Sequence, residues 1–275
     1  MKAECKICPH HCRIEDGHLG LCKARRNVRG EVLCDNYGKV TAMALDPIEK
    51  KPLYHFHPGS RILSVGSYGC NLNCPFCQNC DISMVSGEEI ETQEITAQEL
   101  VEKALALRDR GNIGIAYTYN EPLIGYEFVR DCAAYAKQSG LKNVAVTNGY
   151  ICEEPLLQLL PLMDAFNIDL KCFTEPFYRK LRGDLGAVKS SIALAAEKSH
   201  VEVTTLIIPG ENDSEEEMYE LSGWLAGVRP DIPLHISRFF PRWRMQDREA
   251  TPVEKVYRLA EIARRNLKYV YEGNC

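Results

Sequence analysis

The chain has 275 residues, 45% hydrophobic and 26% charged, a balance that excludes a disordered or fibrous protein. Thirty-three Lys and Arg against 38 Asp and Glu leave a net charge of −5, so no global basic field recruits nucleic acid. No run approaches the ~20 apolar residues of a bilayer span, and the opening MKAECKICPHHC lacks a signal-peptide core; a cytoplasmic chain without a membrane partner is expected.

Residues 1–60 are rich in Cys, His, Gly and Pro and are expected to form a Cys-rich metal-binding segment of their own, with 61–275 as the main domain. Thirteen cysteines, an odd number, argue against a disulfide framework. Cys5, Cys8, Cys12 and Cys22 bring four thiolates into 18 residues, with Gly17 and Gly20 permitting tight turns. Such a set reads as a second metal site, either structural zinc or an auxiliary iron–sulfur centre. His10, His11 and His18 add candidate imidazoles, and His55 and His57, two residues apart, are expected on one side of a strand.

From Arg61 the pattern changes to alternation. Strands are predicted at 61–69, 114–119, 143–147, 165–170, 201–208 and 232–237, with a short one at 268–271. Helices are predicted at 96–110, 123–139, 153–160, 175–181, 190–199, 214–226 and 252–266, the first two closed by Gly111 and Gly140. Strands alternating with helices imply right-handed βαβ units and a parallel sheet. Six units without a GxGxxG behind the first strand suit an α/β fold of the partial (β/α)6 TIM-like barrel type. Chemistry in such barrels gathers in the loops at the strand carboxyl ends.

The first strand runs into Cys70-Asn-Leu-Asn-Cys74-Pro-Phe76-Cys77, three thiolates in eight residues. Cysteine thiolates hold iron–sulfur clusters, and three of them leave one iron of a four-iron cluster open to a small molecule. Zinc on the same thiolates is an alternative, and Cys80 could supply a fourth ligand for a closed, ferredoxin-like cluster.

This CxxxCxxC behind the first strand of a βα series, with aromatic Phe76 before its third cysteine, resembles the radical S-adenosylmethionine (SAM) superfamily. The resemblance implies a 4Fe–4S cluster on Cys70, Cys74 and Cys77 whose open iron chelates SAM. It also implies an external one-electron donor and release of a 5′-deoxyadenosyl radical. Later loops fit the same family in register. Asn120-Glu121-Pro122 stands where many members carry Gly-Gly-Glu-Pro against the methionine ammonium. Thr147-Asn148-Gly149 resembles the TNG, and Asp169-Leu-Lys171 the DLK, of glycyl-radical-enzyme activases. Ile208 falls in the segment that borders the adenine there. Those activases place an aspartate before the TNG to help hold a monovalent cation; here Val146 occupies that position, leaving Asn167 as the available substitute.

With CxxCPxxC upstream and DPIEKKPLYHFHPGS at 46–60, nearly the whole chain resembles the radical SAM member of the AmmeMemoRadiSam group, akin to pyruvate formate-lyase activating enzymes. The implied reaction is hydrogen abstraction from a protein or small-molecule substrate at the open barrel mouth, where Arg238–Arg244 offers a basic, aromatic rim. A closed-cluster electron-transfer protein and radical SAM modification of another macromolecule are the competing readings. The N-terminal cysteines are expected to cap the barrel away from the strand carboxyl ends.

Overall fold

The alternating segments pair in chain order in a computed structural model that describes all residues, Met1–Cys275. Eight strands form one sheet: β1 (Ala42–Pro47), β2 (Arg61–Gly66), β3 (Asn112–Tyr117), β4 (Lys142–Thr147), β5 (Ala165–Asp169), β6 (His200–Ile207), β7 (Leu234–Arg238) and β8 (Val270–Gly273). β2 to β8 run parallel, each beside its predecessor, and β1 lies antiparallel on the outer edge of β2. The sheet does not close, because β1 and β8 pair only on one side. It is a partial barrel with seven parallel strands; the short seventh forms as Val270–Gly273, two residues later than its alternation suggested.

Helices cross between successive strands. The first long one spans Ala97–Leu105, five residues shorter at its end than predicted, because a separate turn of 3-10 helix at Arg108–Arg110 leads into Gly111 at φ +84°. Its start is fixed by a capping box: Thr96 accepts from the Glu99 amide, and Glu99 accepts from the Thr96 amide. The helix Leu185–Lys198 begins five residues earlier than its apolar pattern indicated, because Asp184 caps it by accepting from the Ala187 amide. No helix is long and apolar enough to cross a membrane.

The sheet ignores the expected division at residue 60. β1 lies inside the Cys-rich segment yet pairs along its whole length with β2, from Ala42 opposite Gly66 to Pro47 opposite Arg61. The residues after it fill the amino-terminal end of the barrel. Ile48, Leu53 and Phe56 pack against Ile62, Ala116, Val144 and Ala165 from four neighbouring strands. His55 and His57 therefore sit in a bent plug segment and not on a strand, with His57 at φ +48°.

One carboxylate secures this plug. Glu202 on β6, fully buried, accepts from the Tyr54 amide at 3.0 Å and the His55 amide at 2.7 Å. His200 and His235 each donate a ring N–H to it, at 2.9 and 2.7 Å. Burial favours the neutral acid, but these donors outweigh it and hold Glu202 down at about 2. The other end of the barrel is left free for a ligand.

Candidate functional site

A cavity of about 260 Å³ opens at the strand carboxyl ends, and the three thiols of the CxxxCxxC face it. They are carried by the loop between β2 and the short helix Cys80–Ser83. Gly69, at φ +85°, makes the turn into that loop; a Cβ there would stand 2.4 Å from the Cys22 carbonyl oxygen. Phe76 is buried on the cavity wall and stacks on Phe177 at 6.3 Å. Cys80 is buried at the helix start and does not reach the cavity wall. The arrangement thus presents three thiols and an open side, the donor set of a site-differentiated 4Fe–4S cluster. Burial pushes Cys70 and Cys77 up and Cys74 to about 12, with Lys171 pulling Cys74 and Cys77 the other way. These thiols give up their protons on binding metal.

The polar residues around the thiols form a connected framework. Glu121 is buried and accepts three hydrogen bonds: from the Leu123 amide at 3.0 Å, the Thr147 hydroxyl at 2.6 Å and the Asn148 amide at 2.7 Å. Burial, with Asp169 adding to it, lifts Glu121 to about 7 despite those donors. An ammonium group beside it would reverse that lift. Asn148 donates to Asn71 Oδ1 at 2.9 Å, approaches Cys70 Sγ at 3.6 Å and accepts from the Tyr150 amide. Asp169 and Lys171 pair at 2.7 Å inside the lumen. Burial opposes the Lys171 charge, but Asp169 and the neighbouring thiols overcome it and raise Lys171.

The structure brings Cys70, Cys74, Cys77, Phe76, Asn120, Glu121, Thr147, Asn148, Asp169 and Lys171 to one cavity. It does not bring Ile208, which is wholly buried elsewhere while Leu206 supplies the apolar wall. Ile208 lies beyond the end of β6 and its amide donates to Asn212 Oδ1, so it no longer follows the strand's inward alternation. Asn120 is spent on the backbone: its amide donates to Tyr68 and Gly69 carbonyls and its oxygen accepts from Ser67. Val146 lines the cavity, whereas Asn167 is engaged with Pro52 and Thr204.

Two residues escaped sequence reasoning. Asn71, between the first two cysteines, ties that loop to the loop after β4 through Asn148 and the Tyr150 carbonyl. Tyr119 adopts φ +73° on the cavity wall and donates to Asp46 Oδ2 at 2.9 Å. Asp46 also receives Lys51 Nζ at 2.9 Å; against burial, Lys51 and Tyr119 hold it at about 2. The Asn120-Glu121 dipeptide after Tyr119 was the available signal for Tyr119; for Asn71 it was its position within the motif.

The N-terminal cysteines lie beside this loop and not at a distance from it. Cys5, Cys8, Cys12 and Cys22 line a second, apolar cavity. His10 Nε2 donates to the Asn71 carbonyl at 2.8 Å, and the Cys152 amide donates to the Ile7 carbonyl. The segment packs at the strand carboxyl ends against the helix Tyr126–Gln138, where Arg25 pairs with Glu127, a placement that chain order alone did not reveal.

The family model described as the radical SAM superfamily matches residues 64–222. The chain is 42% identical to an uncharacterized protein of Methanocaldococcus jannaschii, over 99% of this chain and 81% of that one. It is 30% identical to the pyruvate formate-lyase-activating enzyme of Clostridium pasteurianum, over 62% of this chain and 72% of that protein. The solved structure of a radical SAM methyltransferase from Sphaerobacter thermophilus superposes with a TM-score of 0.61 at 19% identity, covering 79% of this chain and 67% of that one.

Proposed function

This chain belongs to the radical SAM superfamily, and on that premise we propose that it abstracts hydrogen from a protein or other bound substrate in the manner of a glycyl-radical activase. The observation that carries the reading is the cavity where Cys70, Cys74 and Cys77 meet Glu121 and Asn148 behind successive strands. When bound, the 4Fe–4S cluster and SAM supply one-electron cleavage of the sulfonium and a 5′-deoxyadenosyl radical.

The chain's own groups have separate tasks. Cys70, Cys74 and Cys77 would hold the cluster, three thiolates that would leave one iron without a protein ligand. Glu121 holds the Thr147-Asn148 turn in place and offers its remaining acceptor capacity to an ammonium. Asp169 and Lys171 line the floor as a neutralised pair, which keeps an isolated charge out of the lumen. The plug at the opposite end keeps water from entering through the barrel.

The substrate's approach is from the open mouth. Arg244 donates its amide to the Pro75 carbonyl, and Arg242 pairs with Asp81 at 3.0 Å, so the 238–245 segment folds back beside the cluster loop. Phe240 is exposed there, with the Arg238 guanidinium 4.8 Å from its ring. An exposed aromatic and arginine rim beside a site of radical chemistry suits docking of a partner protein. The likeness to pyruvate formate-lyase activation supports the same class of substrate.

The test is anaerobic reconstitution with iron and sulfide, then reduction with dithionite in the presence of SAM. Release of 5′-deoxyadenosine that depends on cluster and reductant is expected. A reduced, cluster-loaded protein that leaves SAM intact would return the site to an electron-transfer role.

A further inference from the structure

Behind the catalytic loop, four thiols face one another across an enclosed space. Cys5, Cys8 and Cys22 are buried, Cys12 is partly so, and Ile7, Ile14 and Ile124 complete the walls. The His10 backbone N–H is directed at the Cys8 sulfur and the Ala24 N–H at the Cys22 sulfur. His10, the one imidazole on the wall, has its Nε2 engaged by the Asn71 carbonyl.

Arg25 also lines this space, with the residue only 4% exposed. Its terminal nitrogens are occupied: Nη2 donates to Glu127 Oε1 at 2.8 Å, and Nη1 donates to Glu127 and the Ile124 carbonyl. Its Nε is buried and has no partner. A buried donor without an acceptor carries a desolvation penalty, and a charged one carries more. Its position predicts an anionic acceptor inside the cavity.

We propose that Cys5, Cys8, Cys12 and Cys22 hold a second iron–sulfur cluster and that Arg25 Nε–H donates to one of its sulfur atoms. Soft thiolates select zinc or an iron–sulfur cluster. The geometry favours the cluster, because no three of these side chains converge on one point as the ligands of a single ion do. They stand instead around the walls of a shared space. An apolar shell with backbone and guanidinium donors aimed at sulfur is the environment that tunes such clusters. The site is one residue away from the first: Asn71 reaches the Cys8 thiol and binds Asn148, which approaches Cys70. This inference rests on the four thiols and Arg25, independently of the reading of the SAM site.

Cys70→Ser/Cys74→Ser protein, reconstituted anaerobically, isolates the second site. It should retain iron and acid-labile sulfide in equal amounts, and give an electron paramagnetic resonance signal on reduction. Cys8→Ser/Cys12→Ser protein should lose that signal and keep the first cluster's. Arg25→Lys preserves a cation beside Glu127 but removes the planar Nε donor. In the Cys70→Ser/Cys74→Ser background it should leave the iron content unchanged and shift the cluster's midpoint potential. One zinc per chain, or no iron, in correctly folded Cys70→Ser/Cys74→Ser protein overturns the cluster assignment. An unchanged potential in the Arg25→Lys protein overturns the role of Nε.

Discussion

Glu121 accepts the backbone N–H of Asn148 at 2.7 Å, which joins the loop after one strand to the loop after the next. The same carboxylate holds the Thr147 hydroxyl and the Leu123 amide, so its removal would undo three hydrogen bonds at once. Glu121→Ala should cost roughly 2–4 kcal/mol of stability and weaken SAM binding by at least about tenfold. Iron content should be unchanged, because the thiols are untouched. Calorimetric titration of SAM into the reconstituted variant checks this, and unchanged affinity would relocate the anchor.

Cys80 lies off the cavity that Cys70, Cys74 and Cys77 share. Cys80→Ala should therefore keep the first cluster's absorbance and SAM cleavage. Alanine at any of the other three should abolish both. Loss of the cluster from the Cys80 variant would make it a fourth ligand and the site a closed one.

Gly69 has no room for a side chain: φ is +85°, and a Cβ would lie 2.4 Å from the Cys22 carbonyl oxygen. Since both partners are backbone, neither can yield cheaply. Gly69→Ala should destabilise by on the order of 2–4 kcal/mol and lower the melting temperature measurably. Because the clash lies between the two cysteine segments, iron loading should fall at both sites.

Acid should release the plug. Glu202 is held at about 2, below its ordinary 4.5, so its contribution is full above pH ~4.5 and is lost as pH falls toward 2. Glu202→Gln removes the charge but keeps the shape, and at pH 7 it should cost roughly 2–4 kcal/mol, since His200 and His235 lose a charged acceptor. Urea unfolding at several pH values checks the sign. The gap between wild type and variant should narrow below pH ~4.5, and a gap that widens there refutes the assignment.

The parts of the site that were legible in the sequence are those set by covalent spacing. Three cysteines within one loop must meet, whatever surrounds them, and parity on β5 sends Asp169 inward and on past the strand end to Lys171. The parallel strands were legible because they are short, largely apolar runs spaced by helical segments. β1 was not: its residues are mostly half-buried, without alternation, and its pairing with β2 is a long-range choice that no local pattern records. Asn120 and Asn148 show a different limit. Their place at the site was readable, but the Tyr68 carbonyl and Ser67 amide that occupy Asn120, and the Asn71 side chain that occupies Asn148, come from a distant loop. Ile208 failed for a local reason, since one residue past the strand end the inward alternation no longer applies.

The plug has a kinetic consequence. The Tyr54 and His55 amides are 148 and 147 residues from the carboxylate that secures them. During synthesis the plug emerges long before β6 exists, so the amino-terminal end of the barrel stays unsealed until most of the chain has been made. Closure over so long a separation adds loop entropy to the folding barrier, and such non-local contacts slow folding. A chain cut at residue 60 would leave Ile48, Leu53 and Phe56 without the strands that bury them, and the strands without their stopper. The two pieces would have to find each other in solution, at a rate set by their concentration.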